Sequence, residues 1–220
     1  PPQYFASLTI LTDPSLLLDS AKGKDRMKRL YDSMRPYGGV LYVEANTADC
    51  GRIAEIVRTS GFTGLTVETA DGYVLVKREG ALAGAGVWTH NYGNMANTAK
   101  SDDELVKLPL GLLWFGGVSN MDVLPRHGHG PSEQVVGGRL FIQGIEGMSA
   151  RDVYTGRVIW KQPFHNLGTY NVYYDKSYRN TPTSTAYNQE HLPGANVRGT
   201  NFIATMDRVY ILEGPDCAVL

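Results

Sequence analysis

An α/β unit followed by an all-β unit is the fold class that this sequence predicts, and three observations predict it. Helical periodicity alternates with short apolar runs as far as Arg78 and nearly vanishes beyond it. A stretch of small residues, 79–86 (EGALAGAG), has no periodicity and separates the two patterns. Beyond that stretch a strand-turn-strand motif occurs twice, at an offset of 69 residues.

Each element of the first half follows from its local pattern. Ser7 to Leu11 (SLTIL) is a short apolar run ending at Thr12-Asp13-Pro14, as a buried parallel strand does where it meets a loop. Lys24 to Met34 places Met27, Leu30, Tyr31 and Met34 at helical spacing, and Pro36-Tyr37-Gly38-Gly39 stops the helix. Val40 to Glu44 (VLYVE) reads as a second buried strand. Ala48 to Ser60 puts Ile53, Ile56 and Val57 on one helix face, with Gly61 just past its end. Leu65 to Thr69 and Tyr73 to Lys77 alternate apolar and polar residues around Ala70-Asp71-Gly72, and Asp-Gly between two such runs predicts a hairpin.

In the second half, strands are expected at Leu110 to Phe115, Arg139 to Gln143, Met148 to Asp152, Arg157 to Lys161, Phe202 to Thr205 and Arg208 to Leu212. The repeat is Val136-Gly-Gly-Arg-Leu-Phe-Ile-Gln, echoed by Thr205-Met-Asp-Arg-Val-Tyr-Ile-Leu. Its long offset is explained by a polar insertion over 163–199, rich in Tyr, Asn, Thr and Pro. The layout is therefore 1–79, a linker over 80–130, and strand-rich units over 131–220.

Composition narrows the function classes. A formal net charge of −1 leaves no excess of Lys and Arg to neutralise a phosphate backbone, which argues against nucleic acid as a partner. The longest apolar stretch, Leu108 to Val118, is interrupted by Pro109, Gly111 and Gly116 and is too short to span a bilayer as a helix. Cys50 and Cys217 fall in different elements, so no disulfide framework follows and the compartment stays open. Both ends read as cuts in a longer chain, and an open strand edge over Phe202 to Leu220 is expected to promote self-association.

Two resemblances add to this reading. Ser7 to Asp13, the helix after it, Met34-Arg35-Pro36-Tyr37-Gly38-Gly39-Val40-Leu41-Tyr42-Val43 and the hairpin resemble the class I S-adenosylmethionine-dependent methyltransferases from their fourth strand to their end. That family has an Arg-Pro-Gly-Gly turn here, and Tyr37 stands at its first Gly. The resemblance implies a Rossmann-like partial methyltransferase domain over about residues 3 to 78. Its Gly-rich first strand-to-helix turn and the acidic residue that ends its second strand would precede Pro1. S-adenosylmethionine is thus a cofactor expected of the complete domain and not of this segment, with Thr12 and Asp13 lining its crevice. The alternative is that Asp13-Pro14 simply starts a helix.

Val135-Val136-Gly137-Gly138-Arg139-Leu140-Phe141-Ile142, Ser149-Ala150-Arg151-Asp152 and Tyr154-Thr155-Gly156-Arg157-Val158-Ile159-Trp160 resemble the pyrroloquinoline-quinone (PQQ) repeat family. This implies an all-β partial β-propeller of PQQ-like blades, in which Thr155-Gly156 makes the reversal and Trp160 locks neighbouring blades. The outer-membrane assembly lipoprotein propeller shares the repeat, which implies the cell envelope or periplasm. No residue matches the calcium site or catalytic Asp of the quinoprotein dehydrogenases, so catalytic residues stay unassigned.

The functional expectation is a binding or scaffold module for a protein or carbohydrate, attached to a methyltransferase-like domain. Part of an active methyltransferase is the alternative, and a quinoprotein-type oxidoreductase is a weaker one. His127 and His129, in one Gly-rich loop with His90 as a third ligand, form a candidate transition-metal site, set against a plain loop entering the strands. Trp88-Thr89-His90 is expected to dock the linker, and the Tyr-rich stretch Tyr170 to Tyr187 to decorate a rim.

Overall fold

The computed structural model describes residues 2–116, 122–123, 132–144, 147–164, 202–213 and 216–220, and the chain divides into two units, Pro1–Ala83 and Gly84–Leu220. The first contains β1 (Leu8–Leu11), α1 (Ser15–Leu18), α2 (Gly23–Ser33), β2 (Gly39–Glu44), α3 (Thr47–Arg58), β3 (Leu65–Ala70) and β4 (Tyr73–Arg78). Its sheet has the order β1-β2-β4-β3, and only the β1–β2 pair is parallel.

Strand alternation decides which face of this sheet is covered. Leu41 and Val43 of β2 lie opposite Val76 and Val74 of β4, and all four are fully buried. Leu17 of α1, Met27 of α2, and Ile53 and Val57 of α3 join the same cluster, so all three helices pack on one face. The other face carries Val40, Tyr42 and Leu75, half-buried, with Leu8 and Ile10 of β1 about 60% exposed. At the start of α3, the Asn46 side chain accepts from Asp49 N at 2.9 Å and satisfies one orphan donor. Asp71-Gly72 closes the β3–β4 hairpin, with Gly72 at φ 89°.

The second unit holds two small antiparallel sheets. One, in the order β5-β6-β7-β8, is built from β5 (Gln134–Val136), β6 (Arg139–Gln143), β7 (Gly147–Asp152) and β8 (Val158–Pro163). The other is β11-β10-β9, from β9 (Phe202–Ala204), β10 (Val209–Glu213) and β11 (Asp216–Val219). Gly137 and Gly138, at φ 61° and 70°, form the two-residue turn between β5 and β6, where positive φ at both positions matches the strand twist. Trp88 exchanges both backbone hydrogen bonds with Val135 and so docks the linker on β5. Facing sides of the two sheets share a core of Val136, Phe141, Met148, Ala150, Phe202, Ala204, Val209 and Ile211. The outer side of the smaller sheet leaves Ile203, Tyr210, Leu212 and Val219 substantially exposed.

These arrangements correct the expected fold class. A Rossmann-like domain has a mostly parallel sheet with helices on both faces, whereas this sheet has one parallel pair and its helices on a single face. The second unit is not a propeller: its sheets are small and open, and among the described residues no ring of blades closes. Strand and turn signals specify hairpins, and a hairpin is compatible with many higher arrangements. The strand expected at Leu110 to Phe115 does not form either. Leu108, Leu112 and Phe115 are at least 80% exposed there, so no buried face rewards pairing.

That apolar run is tethered at both ends. Asp103 accepts from Gly86 N at 3.0 Å and from Val106 N and Leu105 N at 2.8 Å. The Gly86 and Val106 amides hold its carboxyl below the ordinary carboxylate range. This tie is therefore complete above the ordinary range and weakens as the pH falls through the lowered value. At the other end, Trp114 Nε1 donates to Val153 O at 2.8 Å, and its ring lies flat on Gly156.

A Cβ at Gly156 would overlap that ring, and the glycine sits at φ 71°. Gly156→Ala is expected to destabilise the second unit by about 3 kcal/mol, from left-handed strain and steric overlap together. Trp88, Trp114 and Trp160 all belong to this unit, so urea unfolding followed by tryptophan fluorescence reads the effect directly. An unchanged midpoint would show that the Trp114 contact carries no stability.

Candidate functional site

One cross-strand row organises the second unit. Register places Gln134 of β5, Phe141 of β6, Ala150 of β7 and Trp160 of β8 side by side on the core-facing side of the larger sheet. Ala150 is fully buried and small, which lets the Phe141 and Trp160 rings meet across it, 6.1 Å between centroids and tilted by 52°. The β7–β8 ladder shifts register at Ala150/Arg151, and such a bulge re-aims the side chains after it.

At one end of the row, Gln134 joins the two sheets. Its amide is completely buried; Nε2 donates to Phe202 O at 2.7 Å and Oε1 accepts from Ala204 N at 2.8 Å. A side chain thereby supplies the two hydrogen bonds that a neighbouring strand would have made to β9. At the other end, half-buried Trp160 borders a cleft between the sheets of about 350 Å³. Phe141 and Val209, both nearly inaccessible, line its apolar part, and Leu220 adds to it. Arg139, Lys161, Gln162, Asp207 and Arg208 supply its polar lining.

Most of those polar groups are already oriented. Arg139 donates through Nη2 to Met206 O, and its guanidinium lies over the Phe141 ring at 5.5 Å. Lys161 Nζ sits 2.6 Å from Asp122 Oδ2, the oxygen that also faces the buried Arg151 guanidinium at 3.7 Å. Arg208 and Asp207 form an exposed pair at 3.6 Å. The Thr205 hydroxyl accepts from Arg208 N and bonds Asp207 Oδ1, which shapes the turn bringing these charges to the cleft.

The residues proposed from sequence lie elsewhere. Thr12 and Asp13 are exposed at the end of β1, in the first unit. Asp13 Oδ1 accepts from Ser15 N at 3.0 Å and from Ser15 Oγ at 2.6 Å, the geometry of an Asx turn just ahead of α1. His90 is half-buried, with Nδ1 2.8 Å from Thr89 Oγ1, and its carbonyl closes a turn with Gly93 N. His127 and His129 lie outside the described residues, as does Tyr170 to Tyr187. Among the described residues no group of three or more His, Cys, Asp or Glu converges as metal ligands would, and no helix is long and apolar enough to cross a membrane.

Sequence reasoning passed over Gln134 and the cleft. A signal for the first was present: in Gln134-Val135-Val136 the glutamine shares the inward phase of Val136, and a polar residue at a core phase needs a built partner. The cleft depends on how two sheets 68 residues apart come together at Gln134 and Phe202, and no local pattern encodes that.

Comparison with protein-family models, with curated proteins and with solved structures finds no match for this chain.

Proposed function

We propose that the chain is a binding module and that the cleft between the two sheets of the second unit is its working surface. The observation that carries this reading is the combination, in one concavity, of an exposed tryptophan edge, a buried aromatic wall and several oriented polar groups. Its volume, about 350 Å³, falls at the small end of the range usual for small-molecule sites, roughly 300–1,000 Å³. Arg139, Phe141, Trp160, Lys161, Gln162 and Val209 stand on paired strands, so that part of the wall is preformed and less ordering entropy opposes binding.

The dye 1-anilinonaphthalene-8-sulfonate is a suitable first probe, because it needs only an apolar wall and a nearby cation. Titration into the isotopically labelled chain is expected to shift the Trp160 indole resonance and leave those of Trp88 and Trp114 in place. Trp160→Ala is expected to weaken the dye by about tenfold, the scale of losing one aromatic anchor. Uniform shifts at all three indoles, or dye binding indifferent to Trp160, would refute the cleft as the site.

A further inference from the structure

Resting on that reading, we infer that the cleft selects a small monocarboxylate with an apolar body, its carboxylate at Arg139 and its body along the wall that Phe141, Trp160 and Val209 line.

The charge balance of the lining carries this. Its cations are Arg139, Lys161 and Arg208, and its one acidic side chain is Asp207. Lys161 is already matched, because its Nζ sits 2.6 Å from Asp122 Oδ2. Arg208 is matched by Asp207 at 3.6 Å, and Oδ1 of that acid is bonded to the Thr205 hydroxyl as well. Arg139 is different. Its acceptor is the Met206 carbonyl, a neutral group, and among the described residues no carboxylate pairs with it. A half-buried guanidinium at the cleft therefore keeps an uncompensated charge, and the Met206 bond uses only one of its five N–H donors.

That charge stands beside the apolar wall. The guanidinium lies over the Phe141 ring at 5.5 Å, and Phe141, Trp160, Val209 and Leu220 supply the apolar lining. A carboxylate on an apolar body meets both features at once: its two oxygens can accept from two of the remaining N–H groups, and its body displaces water from the wall. Other classes meet only one of them. A neutral apolar ligand would shield Arg139 from water without supplying a counter-charge, and that desolvation opposes binding. A cation is repelled by the same group. A dianion such as a phosphate monoester finds its second positive charge only by displacing Asp122 or Asp207 from its partner. The volume of about 350 Å³ limits the body to roughly one or two rings.

Isothermal titration of the whole chain with 2-naphthoate and with its neutral isostere 2-naphthamide, each followed at the Trp160 indole resonance, is the test. Both compounds are expected to shift that resonance, and naphthoate to bind about tenfold more tightly, the scale of a charge-assisted pair. Raising the salt concentration should weaken naphthoate and leave the amide unchanged. Arg139→Gln should bring naphthoate to within about twofold of the amide, whose own affinity and Trp160 shift stay in place and show that the variant is folded. Arg139→Lys keeps the charge and should retain part of the preference. An amide that binds as tightly as naphthoate, or a naphthoate preference that survives Arg139→Gln, overturns the monocarboxylate inference while the cleft reading stands, because Trp160 still reports the site. If neither compound nor the naphthalene dye moves Trp160, the cleft reading fails and this inference with it.

Discussion

Asp152→Ala is expected to lower the stability of the second unit by about 3–5 kcal/mol, enough to leave it marginal. Asp152 is completely buried, and its Oδ1 accepts from Thr155 N at 2.9 Å, Tyr154 N at 3.0 Å and Thr155 Oγ1 at 3.1 Å. Its backbone closes the same turn, with Gly156 N donating to Asp152 O and Asp152 N to Arg157 O. Alanine keeps the backbone bonds but leaves three part-buried donors of Tyr154 and Thr155 without their acceptor, each at a cost of up to about 1–3 kcal/mol. Asp152→Asn retains an acceptor at Oδ1 and should recover about half of the loss. Because this turn sets the pairing of β7 with β8, Asp152→Ala should also disorder Trp160 and abolish the dye-induced indole shift. Denaturant unfolding followed by tryptophan fluorescence measures the first effect. Coincident curves for the alanine variant and the parent would show that solvent replaces these bonds without loss.

What the sequence discloses about this fold is graded by range. Helix α2 was legible because Met27, Leu30 and Met34 recur at helical spacing, and the β3–β4 hairpin because Asp71-Gly72 supplies the backbone freedom that its turn demands. The strands β6, β7 and β8 follow from alternation and from the Thr155-Gly156 turn in the same way. Their assembly was not legible. The run VLYVE reads equally as a strand buried on both faces or as one buried on a single face. Only the packing of α1, α2 and α3 against Leu41 and Val43 decides for the second. Leu110 to Phe115 shows the converse: a strand-like composition stays without a ladder where most of its apolar side chains are exposed.

The candidate residues read from the sequence and the cleft differ for a related reason. Histidines and a strand-end aspartate attract attention because their chemistry is intrinsic, yet Asp13 is occupied with Ser15 and His90 with Thr89. The cleft is made from residues that are individually ordinary. Trp160 was expected to lock neighbouring blades; it packs instead on Phe141 of its own sheet, and β10 with the turn before it leaves a gap beside the indole. Such a site becomes visible only once Gln134 has joined the sheets.

Arg78 carries the second large effect, and it lies in the other unit. This residue ends β4 and is only 5% exposed; its Nη1 donates to Tyr31 O and Met34 O, both at 2.9 Å. These carbonyls belong to the C-terminal end of α2, whose own last turn contains no basic residue, so a strand distant in sequence supplies the cation that the helix end favours. The guanidinium also stacks over the Tyr31 ring at 4.1 Å and lies 5.5 Å from that of Tyr4. Arg78→Ala removes the hydrogen bonds, the stacking and the packed stem together, and a loss of about 3–4 kcal/mol is expected. Arg78→Lys keeps the charge but not the planar guanidinium that lies over the Tyr31 ring and reaches both carbonyls through Nη1, and should restore less than half. Among the described residues every α-helix lies in the first unit, so thermal melting followed by the α-helical far-ultraviolet signal reports on Arg78 while tryptophan fluorescence does not. A lysine variant as stable as the parent would show that charge alone matters there; an alanine variant as stable as the parent would show that water caps α2 equally well.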